Sequence, residues 1–104
     1  MAQILEYIDA NFTDQNLSQA QTAERFDMST ASFSRMFSES LGILFVDYVS
    51  QKRMAYGAEL LAGTDLSVKD IVAKVGYIDV SSFSRKFTKM YGMNPTAYRK
   101  QYRQ

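Results

Sequence analysis

The sequence predicts an all-α protein: seven helices, forming two helix-turn-helix subdomains joined by a long connecting helix. Three observations carry this expectation. No stretch alternates apolar and polar residues as a half-buried strand would, whereas apolar stripes at helical spacing recur throughout. Polar caps and glycines punctuate those stripes at helix-sized intervals. The chain also repeats itself: Ser32, Phe33, Ser34, Arg35, Phe37, Gly42 and Tyr48 recur fifty residues later as Ser82, Phe83, Ser84, Arg85, Phe87, Gly92 and Tyr98. Upstream the offset is forty-nine (Ser18 and Ser67), so the second copy carries one extra turn residue. Two copies are too few for a solenoid and indicate a duplicated unit.

Taken in order, Ile4, Leu5, Ile8 and Phe12 form a stripe that makes Ala2–Asn11 an amphipathic helix. Polar Thr13–Asn16 reads as a loop. Ser18 then caps a short helix, with Gln21 as its capping-box partner and Ala20, Ala23 and Phe26 turned inward. Asp27-Met28 breaks it. Ser29 caps a helix over Thr30–Leu41 with Phe33, Met36, Phe37 and Leu41 on its inner face, and Gly42 ends it. Leu44–Leu61 is the connecting helix, spanning roughly 27 Å at 1.5 Å per residue, with Phe45, Val49, Tyr56 and Leu60 spaced for burial. Gly63-Thr64-Asp65 terminates it.

The plan then repeats. Ser67 and Asp70 form a capping box ahead of Val68, Ile71, Val72 and Val75. Gly76 supplies the positive φ of a tight turn. Asp79 caps a helix from Val80 to Tyr91 that buries Phe83, Phe87 and Tyr91, and Gly92 closes it. Asn94-Pro95 opens the last helix, cap followed by proline at its first position, with Tyr98 and Tyr102 on one face. The expected division is 1–43 for the first subdomain, 44–62 for the connecting helix and 63–104 for the second.

Composition removes several function classes. With no cysteine and no histidine, thiolate chemistry and the commonest general base and metal ligand are absent together. No acid pair, nucleophile–base constellation or phosphate-cradling glycine loop stands at useful spacing, so neither enzyme activity nor a cofactor nor a metal is expected. No apolar run approaches the ~20 residues of a membrane span, and no signal-peptide pattern opens the chain, so a cytoplasmic protein without membrane contact is expected. Charge is uneven. Residues 1–66 hold four basic against nine acidic groups, while residues 67–104 hold eight basic against two acidic. The second half therefore suits an anionic partner.

In each copy a short helix, a tight turn and a second helix with a polar outer face make a helix-turn-helix, whose second helix enters a major groove. Arg35 and Arg85 suit the O6 and N7 of guanine; Ser34, Ser81 and Ser84 donate to bases, phosphates or water; Ala31 and Val80 suit a thymine methyl. Glu39, four residues after Arg35, offers that arginine a surface ion pair worth about 0.3–0.5 kcal/mol. Arg85 has no acid at helical neighbour positions, so base reading is expected first of Arg85. Arg53, on the connecting helix, is expected to bridge to another helix. Ser29, Ser82, Lys86, Lys89, Arg99 and Lys100 are the phosphate candidates.

The run Asp65-Leu-Ser-Val-Lys-Asp-Ile-Val-Ala-Lys-Val-Gly-Tyr77, then Ser82-Phe-Ser-Arg-Lys-Phe87, then Gly92-Met-Asn-Pro-Thr-Ala-Tyr-Arg99 resembles the DNA-binding domain of the AraC/XylS family of bacterial transcription regulators. Tyr48, Arg53, Ala58 and Leu60-Leu61 resemble the connecting helix of that family, and the resemblance runs from about Ile4 to Arg103. It implies recognition helices in successive major grooves of promoter DNA, and base-reading positions at Ala31, Ser34 and Arg35 and at Val80, Ser81, Ser84 and Arg85. RNA polymerase is a further expected partner, and a helical module docking on the transcription machinery is the alternative reading. Most members carry a sensory, receiver or dimerisation domain, so an excised domain of a longer protein, an activator among the family's roles, is expected. Asp27 stands where many members have glycine.

Overall fold

The computed structural model describes residues 1–103, which form seven helices and, among the described residues, no strand. They are α1 (Ala2–Asn11), α2 (Gln19–Arg25), α3 (Thr30–Leu41), α4 (Phe45–Gly63), α5 (Val68–Val75), α6 (Val80–Tyr91) and α7 (Pro95–Tyr102). The caps set the starts. Ser18, Ser29 and Ser67 hydroxyl oxygens each accept an amide three residues on at 3.1 Å, and the Asp79 and Asn94 side chains do so at 2.7 and 2.8 Å. Each bond satisfies an amide that the helix itself leaves unpaired.

Three local expectations change. Ala20 is exposed, and Thr22 is buried in its stead. The Thr22 hydroxyl donates to the Ser18 carbonyl at 2.8 Å, which lets a polar side chain sit inside. Helix α4 runs through Gly63, beyond the expected stop at Leu61. It ends when the Thr64 hydroxyl donates to the Leu60 carbonyl at 2.6 Å, so a side chain and not a glycine conformation terminates it. At its start, Leu44 occupies the N-cap position and provides no side-chain hydrogen bond. Asp27 adopts a left-handed φ of 57°, a conformation Asp tolerates at some cost.

The molecule is elongated, 44 × 23 × 22 Å, because it has two cores along one rod. Ile4, Ile8, Ala23, Phe33, Phe37, Phe45 and Val49 make the first; Met54, Ala58, Leu60, Leu61, Ile71, Val72, Val75, Phe83 and Phe87 make the second. Helix α4 feeds both: its first turns close the first core and the remainder opens the second. The duplication is geometric as well as textual. Phe33 stacks on Phe37 at 5.8 Å and Phe83 on Phe87 at 5.6 Å, and Tyr48 and Tyr98 meet the second phenylalanine of each pair edge-on at 5.6 and 5.2 Å. These four phenylalanines are fully buried, each contributing about 1.5–3 kcal/mol by burial. They fix how α3 and α6 are rotated, and therefore what those helices show to the outside.

Arg53 bridges as expected, but to the end of α1 and the loop beyond it. Its Nε donates to the Phe12 carbonyl at 2.7 Å and its Nη2 to the Asp14 carbonyl at 2.9 Å. A positive charge beside the carbonyl end of a helix also complements the helix dipole.

Candidate nucleic-acid interface

With Phe33 and Phe37 inside, Arg35 lies two residues on, about 200° around the helix, and so points away from the core. Arg85 has the same relation to Phe83. Ala31, Arg35, Val80, Ser81 and Arg85 are exposed, and Ser34 and Ser84 are half-buried at the edge of the same faces. The structure thus brings each set of base-reading candidates onto the outer side of one helix, α3 or α6.

The charge environment of the two arginines differs from expectation. Arg35 and Glu39 form no ion pair; the pairs among the described residues are Lys52 with Asp9 and Arg103 with Asp65. Arg85 has an acid within electrostatic reach after all, the Asp79 carboxylate that caps α6. That carboxylate is held below its ordinary range, first by the backbone N–H of Ser82, then by the Ser82 hydroxyl, with the Arg85 charge a smaller contribution.

The phosphate candidates separate into groups. Ser29 is exposed, and its oxygen only accepts from the Ser32 amide, so its hydroxyl proton is free to donate outward. Ser82 has an internal partner: its hydroxyl donates to Asp79 Oδ2 at 3.1 Å, within the cap of α6. Arg99 has two internal partners. Its Nε donates to the Leu61 carbonyl at 3.0 Å and its Nη2 to the Thr64 carbonyl at 3.1 Å, so it closes the end of α4. Lys86 and Lys89 line a groove of about 410 Å³ with Ile43, Asp47, Ser50 and Gln51 of the α3–α4 connection and α4. Lys100 is exposed on α7.

A second groove, of about 530 Å³, lies between Leu17 and Ser18 ahead of α2, Ser34 of α3, and Leu44, Val46 and Ser50 at the start of α4. Ser50 borders both grooves, so α3 and α6 flank the same half of α4. Leu44 and Val46, along the second groove, are 54% and 62% exposed.

Sequence reasoning missed Ile78, which is 81% exposed just ahead of the α6 cap. The rule for such a position predicts the opposite. An apolar residue before an N-cap ordinarily packs on the fourth helical residue, here Phe83. Tyr77 occupies that place instead, its ring 5.8 Å from Phe83, and leaves Ile78 outside at the leading edge of the recognition helix.

The sequence pattern of the family described as "Helix-turn-helix domain" matches residues 22–101, covering both exposed helices and everything between them. Regulatory protein PocR of Salmonella typhimurium is 35% identical over 97% of this chain. The C-terminal domain of AraT, a response regulator from Geobacillus stearothermophilus, superposes with a TM-score of 0.95 at 33% identity, over 99% of this chain and 85% of that one. The chain belongs to the AraC/XylS-type helix-turn-helix family. The DNA-binding domain of AdpA, solved with a target DNA, shares the fold at a TM-score of 0.91 and 23% identity, over 97% of this chain and 90% of that one. Relative to PocR, this AraC-type chain spans about a third of the length, 33%. None of its described helices is long and apolar enough to cross a membrane, and no group of His, Cys, Asp and Glu among the described residues would hold a metal ion.

Proposed function

We propose that this chain is the DNA-reading part of a bacterial transcription regulator, binding double-stranded promoter DNA with α3 and α6 in successive major grooves. The observation that carries the reading is the duplicated outward face: Ser34 with Arg35, and Ser84 with Arg85, each held outward by a buried phenylalanine pair. Base reading is assigned to Ala31, Ser34 and Arg35 and to Val80, Ser81, Ser84 and Arg85. Phosphate contact is assigned to Ser29, Lys86, Lys89 and Lys100. Membership of the family and the AdpA complex with its target DNA support the reading that the chain binds DNA. No catalytic step is assigned, and the chain works by positioning donors against base edges.

The division into 1–43, 44–62 and 63–104 is proposed in modified form, because the two cores share α4. Binding is tested by titrating a selected DNA site over salt concentration. Log K should fall linearly with log salt, with a slope of about −0.9 for each phosphate neutralised. A flat response would remove DNA from the proposal. In-vitro selection of bound DNA should recover two half-sites about one helical turn apart.

A further inference from the structure

We infer that Arg53 is a positioning residue: it locks the two helix-turn-helix units at one relative orientation, so that affinity depends on the distance between DNA half-sites. The inference rests on the two-groove reading above and adds the device that enforces it.

The geometry is a three-way junction. From α4, Arg53 reaches back to the first unit, holding the Phe12 and Asp14 carbonyls at 2.7 and 2.9 Å. The same guanidinium lies over the Tyr77 ring of the second unit, 5.7 Å from its centroid. The turn of the second unit closes the junction. A Cβ on Gly76 would stand 3.0 Å from Arg53 Nε, from the Phe12 carbonyl and from the Thr13 carbonyl alike. The α5–α6 turn thus presses directly on the connection between α1 and α2, with the arginine fork between them. Two further contacts cross at the same place. The Tyr77 hydroxyl donates to Ser50, one turn before Arg53 on α4, at 3.4 Å, and Phe12 meets Tyr56 edge-on at 6.0 Å.

A helix alone leaves two domains free to twist about it. Here the connection is a triangle, α4 along one side and the Arg53–Gly76 junction holding the other two together. Tyr77 then leads directly through Asp79 into α6, so the junction is three residues from the start of the second recognition helix, Val80. Inserting one base pair between half-sites moves one of them by about 3.4 Å and about 35° around the DNA axis. A pair of readers held by this junction cannot follow. A pair joined by α4 alone follows more easily, at the expense of affinity on the correct spacing, because effective concentration is highest when geometry is matched.

The experiment measures Kd for the wild type, Arg53→Ala and Arg53→Lys on three DNAs: the selected two-half-site sequence, the same with one inserted base pair, and the second half-site alone. Arg53→Lys keeps the charge, loses the fork, and serves if Arg53→Ala does not fold. Both variants should lose about tenfold on the selected site. They should bind the single half-site as the wild type does, and show a smaller penalty for the inserted base pair. Equal losses on all three DNAs, or an unchanged insertion penalty, would overturn the inference.

A DNA-free arm separates it from the DNA reading. The chain has no cysteine, so spin labels placed through Glu24→Cys and Ala73→Cys, both exposed, report the distance between the units. The distribution should be narrow and broaden in Arg53→Lys. An unchanged width overturns the inference, whereas a distribution that broadens in Arg53→Lys as expected, with a wild type that binds none of the DNAs, overturns the DNA reading instead.

Discussion

Asp27 and Gly76 occupy equivalent places in the two turns, and both backbones are left-handed there, with φ of 57° and 100°. The equivalence extends to the following helix–helix connection, where Leu44 in the first unit stands for Asn94 in the second. Asn94 accepts the Ala97 amide at 2.8 Å; Leu44 caps nothing. At both places the second unit uses the residue that local chemistry favours, and the first does not. Yet the cores are near copies, with the phenylalanine pairs and their tyrosines in the same relation. The lesson is that the buried aromatic pattern specifies the unit, while the turns and caps adjust its stability and what it shows outside. The first unit compensates with Phe45, whose ring meets both Phe33 and Phe37 at 5.7 Å where the second unit has Pro95.

Substitutions that exchange these features test the contrast. Gly76→Ala combines a left-handed β-carbon with three contacts at 3.0 Å and should cost about 2–4 kcal/mol in chemical denaturation. Asp27→Gly should stabilise by up to about 1 kcal/mol. If both changes proved neutral, the turns would not distinguish the units at all. Next in size are the recognition arginines. Arg85→Ala should cost about 1–3 kcal/mol on the selected DNA and far less on random DNA, and Arg35→Ala should cost less than Arg85→Ala. The reverse order would place most of the affinity in the acidic first half.

Asn94→Ala should lower stability by about 1 kcal/mol, and Leu44→Asn should raise it by a similar amount, both read from urea melts. A destabilising Leu44→Asn would show that the exposed leucine contributes more than a cap would. The smallest effect concerns pH. Because the Asp79 carboxylate is held below its ordinary range, its contribution is complete above pH about 4 and is lost as pH falls through the lowered value. Acid scans of the wild type and Asp79→Asn should converge at the acid end. The first unit has uncharged Ser29 in that position and should lack the effect; parallel scans would remove it from the second.

Much of this was legible in the chain because caps are local. Ser18, Ser29, Ser67, Asp79 and Asn94 each mark a helix start within one turn of sequence, and the structure keeps every one. What changed depended on partners that apolar periodicity does not show. Arg99 resembled a surface cation until α7 packed beside the end of α4, where the Leu61 and Thr64 carbonyls needed donors. Ser82 resembled a phosphate donor until its hydroxyl was found donating to the Asp79 carboxylate. The candidate faces on α3 and α6 followed from phenylalanine spacing alone, whereas Ile78 was hidden in a turn that periodicity does not describe. Glu39 was near Arg35 in helical position, but proximity on an exposed face does not hold two long side chains together.

Helix α4 gives Phe45 and Val49 to one core and Met54, Ala58, Leu60 and Leu61 to the other. It follows that the two units divide one helix between them, and that a cut at either end of it takes part of a core away. A fragment ending at the start of α4 would lose the wall of its own core, and so would one beginning at its end. The two readers should therefore melt in one cooperative transition, and a lesion in either should be felt as unfolding by both.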